Sequence, residues 1–315
     1  LTASMADAQQ PAKMPKIGWL ALRPPSSVAT SPSGRTLFWR EFGALGYIEG
    51  KNVAFEYRSA ENKLDRLPAL ADELVRLKVD VIIAASTNEV RAAKQATRTI
   101  PIVFFSSTDP VEAGFVDSLA RPGGNLTGFS NFQNLLTGKR LEILKESIPK
   151  LFRVAVLHNP ESSTYMEVWK ENQFAAKALR LQLHSMEVSS VDKFENAFKD
   201  AIKAGSTALT VTGNPFLSSH LPKTVELATK YRLPAMYIRS DFVESGGLMS
   251  YGADIMEPYK RVAVMVDKVL KGTKPSEIPV EQPMRFEFVV NLNAAKLIGF
   301  TMPPEMLARA TRIIR

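Results

Sequence analysis

Short apolar runs alternate with amphipathic stretches along almost the whole chain. IGWLAL (17–22), VIIAAS (81–86) and IVFFSS (102–107) read as buried strands in the first half. VAVLH (154–158), ALTVTG (208–213) and PAMYIR (234–239) do so in the second. Apolar runs of this kind, bounded by turn signals, fit strands covered on both faces. Between them apolar residues recur at helical spacing. Leu37, Phe38, Phe42 and Leu45 form one stripe that Gly46 stops, and Leu67, Leu70, Leu74 and Leu77 form another behind Asp65 as cap. Strand 53–59, helix 164–179, strand 181–188, helices 192–203 and 220–230, and a last strand 286–291 continue the rhythm. Strand and helix alternating at this spacing predict right-handed βαβ units, hence an α/β chain of two doubly wound parallel-sheet lobes.

Each strand runs into a small polar cluster. Three clusters share one form, Asp109-Pro110, Asn159-Pro160 and Asn214-Pro215. Asp or Asn at an N-cap accepts a backbone N–H, and Pro suits the first helical position, whose N–H has no helical partner. The spacing predicts a helix from Asp109 to Leu119. Ser86-Thr87-Asn88-Glu89 has the form of a capping box. Ligands of open parallel sheets bind beyond the carboxyl ends of the strands, and helix starts favour negative groups. Ser86, Thr87, Asn88, Thr108, Asp109, Asn159 and Asn214 are therefore the candidate polar contacts. Arg239, and with less support Arg23, falls at a strand end where a guanidinium can clamp a carboxylate. Phe216, Tyr237 and Tyr251, with Tyr165 nearby, can wall an apolar ligand body. Asp109 or Asp241 can meet an ammonium group. Every one of these residues also has a structural reading, as a cap, a core aromatic or a lobe-stabilising cation.

The pattern divides the chain into a tail (1–15), a first lobe (16–128 with 253–282) and a second lobe (129–252 with 283–315). Crossings are expected near 128–132, 248–256 and 280–288. A length of 315 residues suits about two domains. Hydrophobic content of 45% and charged content of 23% are ordinary for a globular chain. The sequence holds no apolar run long enough to span a membrane. The net charge of +8 is spread along helices, which argues for a solvated basic surface and against nucleic acid as a partner. Cysteine is absent, which excludes disulfides and thiol chemistry. Ala6-Asp7-Ala8, followed by Gln9-Gln10, has the small-x-small form of a signal-peptidase site, so the expected mature start is near Gln9; a disordered tail is the alternative.

Catalytic signatures do not emerge. G-x-G-x-x-G, G-x-S-x-G and H-E-x-x-H do not occur. Gly138-Lys139 looks like the end of a phosphate loop, but position 133, where that loop needs glycine, is Gln. His158, His184 and His220 lie on separate elements without metal-ligand spacing; His158 ends a strand. The expectation is a binding protein with no cofactor, no metal and no catalytic residue.

The chain resembles the substrate-binding components of bacterial ABC importers of the TrpX-like type. GYIEGKNVAFEYRSAENKLDRLPALADELV (46–75), IPIVFFSSTDPVEAGFVDSLARPGGNLTGFS (100–130) and GKRLEILKESIPK (138–150) carry the resemblance. So do VAVLHNP (154–160), FVESGGLMSYG (242–252) and PVEQPMRFEFVVNLNAAKLIGFTMPPEMLARA (279–310). It covers nearly everything from Pro15 onward, while the loop RPPSSVATSPSGR departs from it. It implies a type I periplasmic-binding-protein fold, two lobes joined by three crossings that close on a solute. It also implies export to the periplasm, a monomer, and delivery to an ABC permease in the inner membrane. The implied solute is a small organic anion or zwitterion, such as an aromatic or branched amino acid. A ligand-sensing module of the same fold, feeding a regulatory partner, is the alternative; a repressor would need a helix-turn-helix, and none precedes Ile17.

Overall fold

The computed structural model describes residues 14–22, 34–106, 108–131, 136–162, 164–254 and 256–315. Arg23, the Ala6–Ala8 motif and most of the loop RPPSSVATSPSGR lie outside them. In chain order the elements are β1 (Lys16–Ala21), α1 (Gly34–Ala44), β2 (Ala54–Ser59), α2 (Leu67–Arg76), β3 (Val81–Ala84), α3 (Thr87–Ala96), β4 (Ile102–Ser106) and β5 (Leu126–Ser130). Next come α4 (Thr137–Ser147), β6 (Arg153–His158), α5 (Tyr165–Ala178), β7 (Gln182–Glu187), α6 (Lys193–Lys203), β8 (Ala208–Val211), α7 (Pro215–Ser219) and α8 (Leu221–Lys230). Last are β9 (Ala235–Tyr237), α9 (Ser240–Glu244), β10 (Met249–Ala253), α10 (Glu257–Leu270), β11 (Phe286–Asn291), α11 (Leu292–Ile298), α12 (Pro304–Arg309) and β12 (Arg312–Ile314).

These elements form two compact units. The first comprises residues up to Phe105, Gly114–Gly128 and Tyr259–Val280, and the second Ser106–Ala113, Phe129–Pro258 and Glu281–Arg315. In the first, the strand order is β2-β1-β3-β4-β5. β1 pairs in parallel with β2 and β3, and β3 with β4. Every residue of β3 is buried, as its apolar run requires. Leu67, Leu70, Ala71 and Leu74 are the buried stripe of α2. Phe38 and Phe42 stack at 4.9 Å, and Phe42 stacks on Tyr47 at 4.0 Å. Tyr47 Oη donates to Asp267 on α10 at 2.9 Å, which ties that distant segment into the unit; burial, and then the bond to Asp267, push the phenol up to about 12.

The second unit has the strand order β12-β11-β10-β9-β8-β6-β7. The side-chain period of two explains its two cores. Val154 of β6 faces one side, with Leu141 and Leu144 of α4 and Ala175 of α5. Ala155 and Leu157 face the other, with Phe194 and Phe198 of α6 and Leu227 of α8. At Gly252 on β10 a Cβ would collide with the Ile238 carbonyl, so only glycine fits the close approach there.

Several expectations are corrected. No helix follows Asp109. Its carbonyl takes one turn of backbone, from Ala113, and the chain then reaches Gly114 at φ 66, outside helical space. Asp65 caps nothing, because a single 3-10 turn over Leu64–Arg66 precedes α2. Asn159-Pro160 opens a turn, and α5 starts later, at Tyr165. Finally, β10 and β11 are antiparallel, and the C-terminal strand β12 extends the sheet beside β11.

Candidate functional site

The site is built at the carboxyl ends of β6 and β8 in the second unit. β8 passes through Thr212 and Gly213 into Asn214, whose Oδ1 accepts the Leu217 N–H at 2.9 Å and caps α7. Thr212 is pinned to β6, its N–H and hydroxyl both donating to the Leu157 carbonyl at 3.0 and 3.1 Å. β6 ends at His158, and Asn159 Oδ1 accepts from the Glu161 N–H at 2.9 Å to fold the turn before α5. α5 then presents Tyr165, Val168, Trp169 and Asn172, spaced i, i+3, i+4, i+7, on one face. These residues with His158, Asn159, Thr212, Gly213 and Asn214 line a small pocket that is partly open to solvent.

A second small hollow shares Val168, Asn172, Thr212 and Gly213 with the first as lining and is bounded by Thr137, Arg140 and Thr210.

The walls differ in chemistry. On the His158 side the rings are packed: His158 lies on Tyr165 at 4.6 Å between centroids and 16° between planes, and against Trp169 at 5.5 Å. Tyr165 and Trp169 are half-buried. Asn172 is buried and donates to the Val168 carbonyl at 2.8 Å. On the far side Arg140 is buried on α4, its Nε donating to the Tyr251 carbonyl at 2.8 Å. Burial brings this guanidinium down to about 9, which leaves it a cation at neutral pH.

Of the residues expected from the sequence, the structure brings Asn159 and Asn214 into this pocket, both with their side-chain oxygens already used on backbone. Thr108 and Asp109 sit on a separate turn, where Asp109 Oδ1 accepts from Val111 and Glu112. Tyr237 is corrected outright: it is wholly buried in a core, stacked on Phe242 at 5.0 Å, and cannot wall a ligand. Burial accordingly drives its phenol well above the usual range. Phe216 packs on His220 and Phe194 at the edge of the same core. Tyr251 leans on Phe286. Arg239 is engaged by Asp241, Nε to Oδ1 at 3.1 Å and Nη2 to Oδ2 at 2.5 Å, a bidentate pair that occupies the fork a carboxylate ligand would need.

In the first unit Ser86 is the N-cap residue of α3 but its side chain makes no cap bond, and its buried Oγ has no partner among the described residues. Thr87 is buried beside it and Asn88 is half-buried. The capping box takes an altered form: Glu89 accepts from the N–H groups of Ala85 and Leu22, both at 2.6 Å, and so bolts the ends of β3 and β1 together. Among the described residues no cluster of His, Asp and Glu could hold a metal ion, and no helix is long and apolar enough to cross a membrane.

Sequence reasoning passed over Trp169, Asn172, Thr212 and Arg140. Two of them carried a signal. Asn172 interrupts the apolar stripe Val168–Ala175–Ala176 of α5, and Arg140 sits on the buried face of α4 with Leu141 and Leu144. Polar groups at core positions are the ones that need explaining.

The chain belongs to the family described as ABC transporter substrate binding protein, whose family model matches residues 40–314. A curated relative, the tyrosine-binding protein of Clostridioides difficile (strain R20291), is 29% identical over 254 residues, 80% of this chain and 72% of the relative. A conserved domain protein from Vibrio cholerae superposes with a TM-score of 0.85 at 25% identity, over 96% of this chain and all of that one. An ABC domain from Streptococcus pneumonia, solved in complex with L-Trp, gives a TM-score of 0.80 at 23% identity, over 95% and 99% of the two chains. The two-unit α/β architecture is thus that of type I periplasmic binding proteins, and the family is one of solute-binding proteins, not enzymes.

Proposed function

We propose that this protein is the solute receptor of an ABC importer and that its solute is a small zwitterion with an aromatic body, an aromatic amino acid. The observation that carries the reading is the pair of neighbouring hollows in the second unit, one lined by aromatic rings and the other by a buried cation. An aromatic ring gains from stacking on Tyr165 and Trp169, where such pairs contribute about 0.5–1.5 kcal/mol beyond burial. A carboxylate gains from the positive charge of Arg140, whose Nε is already given to the Tyr251 carbonyl. In this reading Arg140 takes the part that Arg239 was expected to play. The likeness to a tyrosine-binding relative and to a domain solved with L-Trp supports the same class.

Ser86, Thr87 and Asn88 of the first unit are proposed to add polar contacts, and the two units are proposed to close on the solute, which shifts the population toward the bound form. Export to the periplasm, removal of a signal peptide near Ala8, a monomeric state and docking to an inner-membrane permease belong to the same proposal. A thermal-shift screen tests it. L-Tyrosine, L-tryptophan or L-phenylalanine is expected to raise the melting temperature in proportion to the logarithm of its concentration. A shift with neutral sugars and none with carboxylates overturns the reading.

A further inference from the structure

One buried polar atom of the pocket stands out. His158 is 3% exposed, and its Nδ1 has no hydrogen-bond partner among the described residues. Its other nitrogen is engaged: Nε2 lies 2.7 Å from Ser185 Oγ on β7. Ser185 Oγ in turn donates to Glu187 Oε1 at 3.4 Å. An ionised carboxylate only accepts, and a hydroxyl has one proton to give. If that proton goes to Glu187, Ser185 accepts from Nε2–H. The neutral imidazole then carries its proton on Nε2 and a lone pair on Nδ1. Burial holds the ring's pKa below the ordinary value, with Glu187 as the weaker opposing influence, so the neutral form is the resting one. A buried acceptor left unmatched is unfavourable, and such groups call for an occupant.

The position of the atom limits what that occupant is. His158 lines only the aromatic hollow, and Arg140 lines only the other. In an α-amino acid the ammonium and carboxylate share one carbon, so both charges stay together at the Arg140 end. The side chain is what reaches His158. We propose that His158 Nδ1 accepts a hydrogen bond from a donor on the solute's aromatic ring, a phenol O–H or an indole N–H, and so selects such rings over a plain phenyl ring. Ser185 is the positioning residue that fixes the tautomer. The inference rests on the aromatic amino-acid reading above. A site built around a hydrogen bond rejects the analogue that lacks the donor far more strongly than an apolar pocket rejects a change in size.

Calorimetric titration of L-tyrosine, L-tryptophan and L-phenylalanine into the full chain tests it. The wild type is expected to bind tyrosine or tryptophan at least about tenfold more tightly than phenylalanine. In His158→Gln the amide can still reach Ser185 but offers nothing at the Nδ1 position, and the preference is expected to shrink to about threefold or less through loss of the donor-bearing ligand. His158→Asn, which places an amide oxygen near Nδ1, is expected to restore part of it. If the Gln variant does not fold, Ser185→Ala carries the test, because freeing the tautomer is expected to narrow the same ratio. An equal affinity of the wild type for all three, or an unchanged ratio in the variant tested, overturns the inference alone. Binding of none of the three overturns it together with the aromatic amino-acid reading.

Discussion

The β3–α3 junction of the first unit and the β8–α7 junction of the second start from the same recipe, a buried strand running into a small polar residue that opens a helix. They end differently. At β8–α7 the polar residue does the capping, since Asn214 Oδ1 takes the Leu217 N–H. At β3–α3 the cap residue is idle: Ser86 Oγ is buried without a partner, and Glu89 gathers the loose backbone N–H groups from Ala85 and Leu22 instead. The lesson is that a residue's type and place at a strand end do not say whether it serves the fold or a ligand. What decides is whether a neighbour has already done the structural work. By that test Asn214 belongs to the scaffold, while Ser86 Oγ and His158 Nδ1 are among the buried polar atoms with no partner among the described residues.

The largest expected effect comes from removing the neighbour. Glu89→Ala strands two N–H groups and should lower stability by about 2–5 kcal/mol, read from urea unfolding; a loss below about 1 kcal/mol would mean that water replaces the carboxylate without penalty. Asn214→Ala should cost about 1 kcal/mol through the lost cap, with solute affinity unchanged once the protein is folded. A drop in affinity beyond the stability loss would return Asn214 to the binding site.

Acid sharpens the comparison. The pKa of His158 in the fold lies below the 6.5 of the free side chain. Above pH 6.5 the ring is neutral in both states and adds no pH dependence. As the pH falls below 6.5 the unfolded chain takes up the proton first, so stability should decline until the folded-state pKa is reached. His158→Gln should flatten that part of the stability profile, measured as melting temperature against pH. An identical slope in the variant would show that other groups, His184 among them, dominate. The smallest effect on stability belongs to Ser86→Ala, within about 0.5 kcal/mol because no bond is lost. Its readout is affinity, which should weaken if Ser86 serves the solute and stay level if the hydroxyl is merely buried.

Strand runs, the helical stripes of α1 and α2, the helices α5, α6 and α8, and the cap at Asn214 could be read directly, because local periodicity and capping chemistry leave a trace in consecutive residues. The pocket could be read only in part. Asn159 and Asn214 were visible as strand-end residues, but Tyr237 at a similar position points into the core, and the pleat decides which. Arg239 could not be judged without knowing that Asp241, two residues on, folds back onto it. Trp169 is one aromatic among many on an amphipathic helix, and its meaning comes from His158, a partner on another element. The antiparallel β11 and the edge strand β12 follow the Pro-containing segment 275–283, where the alternation of strand and helix lapses and gives no direction.

The central claim is that the aromatic hollow of the second unit holds the solute's ring. Calorimetric titration of L-tyrosine and L-tryptophan into wild type and Trp169→Ala tests it most directly, with circular dichroism confirming that both are folded. The account predicts saturable one-to-one binding to the wild type and a loss of at least about tenfold in the variant, the worth of a stacked ring pair with its buried surface. Equal affinity in the two proteins would contradict it and move the solute's ring elsewhere.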